Sequence, residues 1–377
     1  MSTVLTHARI VMPDGVVEGS LEIENGTISA IADGNSALGL DCEGDWLIPG
    51  IIDIHTDNLE RHYFPRPNID WNPVSAAIVH DGLCISVGVT TVFDSLSLGS
   101  FGFGAARTPD NLIRLTEGLH HAWEQNFLKA DHRIHWRCET PSEVLAFEVD
   151  RLSSNPMTGL FSVMDHTPGQ RQYRNLEKFL VSWRQEGASE TEIERRLAAQ
   201  NERQTLNAEK GRRLVAEIAK SRGLPLASHD DETEAHSDQA ADLGATISEF
   251  PVTIEAARRA HDRGMAVIMG GPNLIRGGSY SGNVPAATLA QEGLLDGFAS
   301  DYVPRSLIEC AFRLTDEPFG WSISSAVDTV TGAPARACGL TDRGAIRLGA
   351  RADLVRVRVS QGHVMVKGVW VKGLRVG

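Results

Sequence analysis

The chain has 377 residues, of which 42% are hydrophobic and 23% charged, and its 49 acidic and 36 basic side chains give a net charge of −13. This composition is typical of a globular protein with a large core, and the acidic excess argues against nucleic acid as the main partner. No apolar run reaches the roughly 18 residues of a transmembrane helix, and the N-terminus MSTVLTHARIVMPDG lacks the features of a signal peptide, so we expect a cytoplasmic protein that does not bind membranes.

Both ends of the chain predict short β-strands. Residues 1–48 contain alternating apolar positions around Glu24-Asn25-Gly26, which is a hairpin signal. Residues 345–377 contain Val355 and Val357 in alternation with arginine, as in a half-buried strand. We predict one small β-sandwich domain that is built from 1–48 and 345–377.

The middle of the chain, residues 49–344, alternates short apolar runs with helix-favouring stretches. Eight runs predict strands, at 47–55, 90–96, 133–139, 160–166, 224–230, 245–251, 265–271 and 297–303. Repeated β–α units predict a parallel sheet, and eight repeats predict closure into a barrel. The expected fold class is therefore α/β, a (β/α)8 TIM-like barrel with a small β-sandwich domain built from both termini.

Residues 171–220 form a charged, helix-favouring segment that is longer than one barrel helix requires. The simplest interpretation is a solvated helical excursion from the barrel. A dimer arm or a cover over the active site is the alternative, and it leaves a homodimer open.

The first barrel strand ends in side chains that bind metals. Catalytic residues of such barrels stand where strands end and the following loops begin. Because alternate side chains of a strand share a face, we expect Asp53, His55 and Asp57 to point inward and Ile52 and Ile54 outward. His55 and Asp57 are spaced to hold a metal ion. Asp53 lies one layer deeper, where it could accept a hydrogen bond from His55.

Four further strands end in the same manner, at Glu139, His166, His229 and Asp301. Two divalent cations, the three carboxylates Asp57, Glu139 and Asp301, and one hydroxide would form a nearly neutral buried cluster. Imidazole and carboxylate ligands suit zinc, manganese or iron(II), and such ions make water nucleophilic at neutral pH. Asp94 and Asp230 are interpreted as helix-cap or loop residues. The pattern predicts a two-metal hydrolytic site.

The segment LIPGIIDIHTDN resembles the strand-one signature of the amidohydrolase superfamily, Pro-Gly-x-x-Asp-x-His-x-His. Asp57 replaces the second metal-binding histidine, as it does in one branch of that superfamily. The blocks HTDNLERHYFPRP, HWRCE, MDHTPGQRQY, SHDDET, MGGPNLIRGGSYSGN and ASDYVP are similar to that branch, the PhnM family of phosphonate metabolism. The resemblance extends over nearly the whole chain.

This resemblance implies a diphosphatase that converts alpha-D-ribose 1-methylphosphonate 5-triphosphate to the 5-phosphate plus pyrophosphate, in the carbon–phosphorus lyase pathway. It implies two divalent metal ions, with zinc favoured and manganese or iron as alternatives. By position, His55, Asp57 and Asp301 would hold one ion. His166 and His229 would hold the second, and Glu139 would bridge the two. Asp301 would also be catalytic, as the acceptor of the nucleophile's proton.

A triphosphate substrate requires cationic and hydrogen-bonding partners at the barrel mouth. The predicted substrate-binding residues follow the strand ends and are Arg61, His62, Arg66, Asn273, Arg276 and Arg305. Arg107, Arg171 and Arg174 are further cations in equivalent loops. They are candidates for phosphate binding because one planar guanidinium can donate to two phosphate oxygens at once. The glycine-rich segment 270–279 could add backbone N–H donors. We therefore expect a small anionic phosphorylated sugar as the substrate.

Three other functions stay open on the residues alone. The same metal site could hydrolyse the C–N bond of a cyclic amide or N-acyl compound, although the arginines after the first strand favour phosphate. A related enzyme could act on another nucleotide or sugar triphosphate. A non-catalytic assembly protein is disfavoured, because all six predicted ligand positions carry competent side chains.

Overall fold

A computed structural model describes residues 2–66, 69–99, 108–279 and 282–377. Their strands are, in chain order, β1 (Ser2–Met12), β2 (Gly15–Glu24), β3 (Thr27–Asp33), β4 (Leu40–Asp41), β5 (Trp46–Pro49), β6 (Ile51–Thr56), β7 (Val89–Leu98), β8 (Asp131–Glu139), β9 (Thr158–Met164), β10 (Leu226–His229), β11 (Ile247–Glu249), β12 (Ala266–Gly270), β13 (Gly297–Ala299), β14 (Leu354–Ser360), β15 (His363–Val371) and β16 (Leu374–Arg375). These strands form two sheets.

The helices of the described residues lie mostly between the strands β6 to β13. They are α1 (Asn58–Tyr63), α2 (Pro73–Ser86), α3 (Pro109–Glu124), α4 (Leu145–Leu152), α5 (Leu176–Gln185), α6 (Glu190–Ser221), α7 (Glu234–Asp242), α8 (Ile254–Asp262), α9 (Gly271–Arg276), α10 (Ala286–Gln291), α11 (Ser306–Arg313), α12 (Ile323–Asp328) and α13 (Gly332–Ala337). Within the described ranges, no helix combines the length and the apolar character that crossing a membrane requires.

Strands β6 to β13 form a parallel sheet whose order in space follows their order in the chain. The sheet closes where β6 meets β13: Asp57 N donates to Asp301 O at 2.8 Å, and Asp301 N donates to His55 O at 2.9 Å. This closure brings the carboxyl ends of the first and last barrel strands together. The predicted fold class, a barrel with a small β-domain from both termini, is confirmed.

The barrel interior is filled by apolar side chains from seven of its strands. They form one cluster, with Ile52, Ile54, Phe93, Leu160, Ala227, Ile247, Ile268 and Ala299 among its members. The expectation that Ile52 and Ile54 point outward is therefore wrong. The pairing of β6 with β7 is irregular on both sides of Asp53, so the two-residue alternation of an ideal strand does not hold there.

The second sheet joins the two ends of the chain in the order β16-β15-β14-β5-β1-β2-β3, with β4 beside β1. The strand predicted at 47–55 is in fact two strands, since β5 lies in this sheet and β6 lies in the barrel. Gly50 separates them, and a Cβ there would collide with Thr90 and approach Asp353. The domain boundaries 1–48 plus 345–377 and 49–344 stay a prediction.

The segment 171–220 contains a short 3-10 helix at Arg171–Tyr173, then α5 and the long α6. The second half of α6 packs against the barrel and buries Val215 and Ala219. Its first half is mostly exposed and charged. Consequently the excursion is anchored at one end and stands over the barrel mouth beside β8 and β9 at the other.

Candidate active site

Glu249, at the end of β11, holds two of the predicted metal ligands. The side chain is fully buried. His55 Nδ1 donates to Glu249 Oε1 at 2.7 Å, and His229 Nδ1 donates to Glu249 Oε2 at 2.7 Å. Both Nε2 atoms then carry a lone pair, because each ring has its proton on Nδ1. Burial opposes ionisation, but His55, His135 and His229 outweigh it and hold the pKa of the Glu249 carboxyl well below its ordinary value.

Glu139 performs the same task for His166. His166 Nδ1 donates to Glu139 Oε2 at 2.6 Å, and the His166 backbone N–H donates to Oε1 at 2.8 Å. Carboxylates that fix histidine rings in this way are typical partners of metal-binding histidines. The bridging role expected for Glu139 would require it to release His166, and that role stays a prediction.

The three oriented histidines belong to two groups of possible metal ligands. His55, Asp57 and Asp301 form one group whose ligand atoms lie within 4.8 Å of one another, and His166, His229 and Asp230 form the other. His229 Nε2 lies 3.1 Å from Asp230 Oδ2, yet this buried oxygen has no hydrogen-bond partner among the described residues. The close approach of His229 Nε2 and Asp230 Oδ2 without a hydrogen bond is what we expect of two ligands that bind the same cation.

The charges around the two groups also fit cations. The carboxylates that belong to these groups or orient their histidines are Asp57, Glu139, Asp230, Glu249 and Asp301. Arg137 Nη1 donates to Asp57 Oδ1 at 2.8 Å and is buried beside them. Five carboxylates and one guanidinium leave four negative charges, which two divalent cations would neutralise. A buried cluster of uncompensated charge would be strongly unfavourable, so the residues present fit the binding of divalent cations.

Three residues at the strand ends adopt a left-handed backbone: Asp230, Phe250 and Asp301 have φ values of 58°, 57° and 55°. This region is costly for residues other than glycine, and such strain concentrates at active sites. Asp230 and Asp301 are both candidate ligands. Phe250 packs its ring 5.0 Å from the His55 ring and 5.4 Å from the His229 ring. The strain therefore falls on the residues that shape the site.

Among the predicted substrate-binding residues, Arg61 and Arg276 lie close together, whereas Arg305 lies elsewhere. Arg61 lies over the ring of Tyr302, 5.7 Å from its centroid, and Arg276 Nη1 donates to the Tyr302 hydroxyl at 3.1 Å. These two arginines therefore meet next to Asp301. Arg305 instead contacts Glu309 and the Val364 carbonyl of the small sheet.

The remaining predicted residues have other surroundings. Asn273 uses its amide to hold the backbone at Val284 and Ala286. His62 lies with its ring 6.0 Å from that of His80. Arg66 pairs through its backbone with Ile69. For these three the substrate-binding role stays a prediction.

The additional cations are placed differently from what the sequence indicates. Arg171 is buried. Its Nη1 donates to Asp231 Oδ1 at 2.5 Å and to the His229 carbonyl at 3.2 Å, so it stabilises the backbone that carries His229. Arg174 donates to the Gly282 carbonyl at 3.3 Å. Arg107 lies outside the described residues. The glycine-rich segment 270–279 begins as helix α9 instead of an open loop.

Sequence reasoning missed three residues of the site. Glu249 ends a predicted strand, which was a usable signal, but its contact with His55 spans 194 positions in the chain. Alternation along the strand placed Arg137 on the same face as Glu139, but it gave Arg137 no role in the site. Asp230 was interpreted as a cap or loop residue, yet it belongs to a ligand group and caps no described helix. Asp53 accepts from the backbone N–H groups of His55 and Ser300, not from the His55 ring.

A second buried cluster of histidines and aspartates lies between β7, β8 and α2. His132 Nδ1 donates to Asp94 Oδ2 at 2.8 Å, and His80 Nε2 lies 2.9 Å from Asp94 Oδ1. Asp94 is thus a strand residue, not the cap or loop residue that was expected. Burial alone would lower the pKa of His132, but Asp94 and Asp81 raise it to about 9. The ligand atoms of His80, Asp94 and His132 lie within 4.8 Å of one another, and the ion pairs among them tie α2 to the barrel.

Replacing His132 with asparagine should cost about 3–5 kcal/mol of unfolding free energy, because the buried Asp94 loses its main partner. A histidine whose pKa rises from 6.5 to about 9 on folding stabilises fully below pH 6.5 and loses that effect as the pH rises through 9. Urea unfolding should therefore show a larger gap to the wild type at pH 6 than at pH 9.5. The control is His121→Asn, at an exposed position on α3. Equal losses in both variants, or a gap independent of pH, would contradict this assignment.

The chain is similar to known proteins along its full length. It is 40% identical over 377 residues to the alpha-D-ribose 1-methylphosphonate 5-triphosphate diphosphatase of Escherichia coli (strain K12), covering 99% of this chain and 100% of that protein. Residues 178–374 match the model of the amidohydrolase family, Amidohydro_3.

Solved structures share the fold at low sequence identity. A 5-methylcytosine deaminase from Klebsiella pneumoniae superposes with a TM-score of 0.66 at 15% identity, covering 99% of this chain and 98% of that one. A dihydropyrimidinase from Brevibacillus agri NCHU1002 gives a TM-score of 0.61 at 13% identity, with 100% and 95% covered. These likenesses concern the fold alone. The match to the family model and the full-length relative show that the chain belongs to the amidohydrolase family.

Proposed function

We propose that this chain hydrolyses alpha-D-ribose 1-methylphosphonate 5-triphosphate to the 5-phosphate and pyrophosphate. The supporting observation is the pair of oriented ligand groups at the barrel mouth, in a chain that is 40% identical from end to end to a diphosphatase of that substrate. The cations at the same mouth, Arg61, Arg137 and Arg276, favour an anionic substrate over a neutral amide.

Two groups of described residues support two divalent cations as cofactors. His55, Asp57 and Asp301 would hold one ion, and His166, His229 and Asp230 the other. The nitrogen and carboxylate ligands suit zinc, with manganese or iron as alternatives. Such ions, when bound, lower the pKa of water and stabilise charge on phosphoryl oxygens.

The side chains then perform the following steps. Asp301 accepts a proton from the attacking water as its oxygen bonds to the α-phosphorus. The bond from that phosphorus to the oxygen bridging it to the β-phosphate breaks, and pyrophosphate leaves with the electron pair. Arg137, buried beside Asp57, stabilises the charge that develops on the phosphoryl oxygens. Glu249 orients the rings of His55 and His229, and Glu139 orients the ring of His166.

The leaving pyrophosphate is assigned to the side of the mouth where β12 and β13 end. Arg61 and Arg276 converge on Tyr302 there, directly after Asp301. Two guanidinium groups can donate several hydrogen bonds to a pyrophosphate, which stabilises it as negative charge accumulates.

Product analysis tests this proposal. Protein loaded with zinc or manganese should convert the phosphonate triphosphate to pyrophosphate and the 5-phosphate, which phosphorus NMR resolves from the substrate. ATP and a hydantoin serve as controls for other triphosphates and for cyclic amides, and both should react slowly. Hydrolysis of the hydantoin alone would overturn the phosphate assignment, whereas equal turnover of ATP would overturn only the substrate's identity.

A further inference from the structure

A cavity of about 1040 Å³ opens from the barrel mouth under helices α5 and α6. Its inner end is formed by His166 and Glu139. Ligand pockets in proteins commonly have volumes of about 300–1000 Å³. The cavity is therefore large enough for a sugar with its substituents, and it begins at a candidate metal ligand.

One wall of this cavity is a continuous row of aromatic rings. The His166 ring lies 5.8 Å from Tyr173, Tyr173 lies 4.8 Å from Phe179, and Phe179 lies 5.0 Å from Trp183. All three aromatic residues line the cavity. Such faces pack against the apolar C–H face of a sugar ring and against a methyl group, but they offer nothing to a bare phosphate.

Cations stand at the outer part of the same cavity. Arg196 lies over the Trp183 ring, 5.6 Å from its centroid, and Lys178 and Arg203 also line the space. Glu192 accepts from Nε and Nη2 of Arg196 at 3.1 and 2.7 Å, which fixes the guanidinium beside the cavity. Of the two carboxylates that line the cavity, Glu139 is already engaged with His166, while Glu186 is exposed to solvent.

We infer that this cavity binds the end of the substrate that remains after cleavage, a ribose ring bearing an anionic methylphosphonate. The aromatic row would pack against the ribose, and Arg196, Arg203 and Lys178 would hold the phosphonate. The pyrophosphate end then lies on the opposite side, at Arg61 and Arg276. This inference rests on the proposed function, and it gives the helical segment 171–220 a role in recognising the substrate.

The inferred orientation of the substrate predicts which of the two products each cation binds. In Arg196→Ala and Arg203→Ala, inhibition by the ribose 1-methylphosphonate 5-phosphate product should weaken about tenfold or more, since a charge-assisted contact is lost. Inhibition by pyrophosphate should stay within about twofold of the wild type. The KM for the triphosphate should rise with the product's inhibition constant, while kcat changes little, as expected for lost ground-state binding.

Arg195→Ala is the matched control. Arg195 precedes Arg196 on the same helix, but its side chain is 80% exposed and does not line the cavity. Its inhibition constants should equal those of the wild type. Arg196→Lys should recover part of the product binding, because the charge is kept and the planar fork is lost.

The outcomes separate the inference from the proposed function. If the wild type releases no pyrophosphate, the proposed function fails. If the wild type is active but Arg196→Ala and Arg203→Ala behave like Arg195→Ala, the cavity does not bind the substrate and the inference is overturned. Weakened inhibition by pyrophosphate with unchanged inhibition by the other product would overturn the orientation.

Discussion

Asparagine in place of Asp301 should lower kcat by about 10²–10⁴-fold, because the variant lacks the group that we propose accepts the proton of the attacking water. The amide has nearly the same shape as the carboxylate, so the barrel closure through the Asp301 backbone should persist. Turnover is measured at saturating metal, so that weaker metal binding cannot account for the loss.

The control for this experiment is Asp316→Asn, at an exposed position after α11. That variant should keep the wild-type kcat, and circular dichroism should be unchanged in both proteins. An Asp301→Asn protein that binds metal and turns over within about tenfold of the wild type would remove Asp301 from the proton transfer.

Glutamine in place of Glu249 should weaken metal binding by about 10–100-fold, the usual effect of losing a carboxylate that orients metal-binding histidines. Glu249 accepts from both His55 and His229. An amide can accept through its oxygen only, so one of the two rings loses its partner and its fixed orientation. Competition with a chromophoric chelator measures the affinity directly.

Excess metal should restore most of the kcat of this variant, because Glu249 acts through the histidines and not on the substrate. Ser248→Ala is its control: Ser248 is the buried neighbour on the same strand, and its hydroxyl makes no hydrogen bond among the described residues. Unchanged metal affinity in Glu249→Gln would contradict the orienting role.

The sequence predicted the barrel and many of the chemical groups at its mouth, for a physical reason. Strand ends of a closed parallel barrel converge on one face, so His55, His229 and Asp301 could be brought together without knowing their distances. Each residue of this kind is recognisable from its own strand. The structure places all three in the candidate ligand groups.

Contacts across the barrel were less accessible to sequence reasoning. The carboxylate that holds His55 belongs to Glu249, five strands away in the sheet order, and no local pattern joins them. The expectation that Ile52 and Ile54 point outward was wrong, because irregular strand pairing beside Asp53 breaks the alternation of side chains. Asp94 was misassigned because its partners, His80 and His132, lie on other elements.

The most direct test of the two-metal account is a titration of metal-free protein with zinc or manganese while pyrophosphate release from alpha-D-ribose 1-methylphosphonate 5-triphosphate is followed. The two ligand groups predict no release without metal and a rise in activity until two equivalents are bound per chain. Full activity in the metal-free protein, or metal-loaded protein that releases no pyrophosphate, would contradict the account.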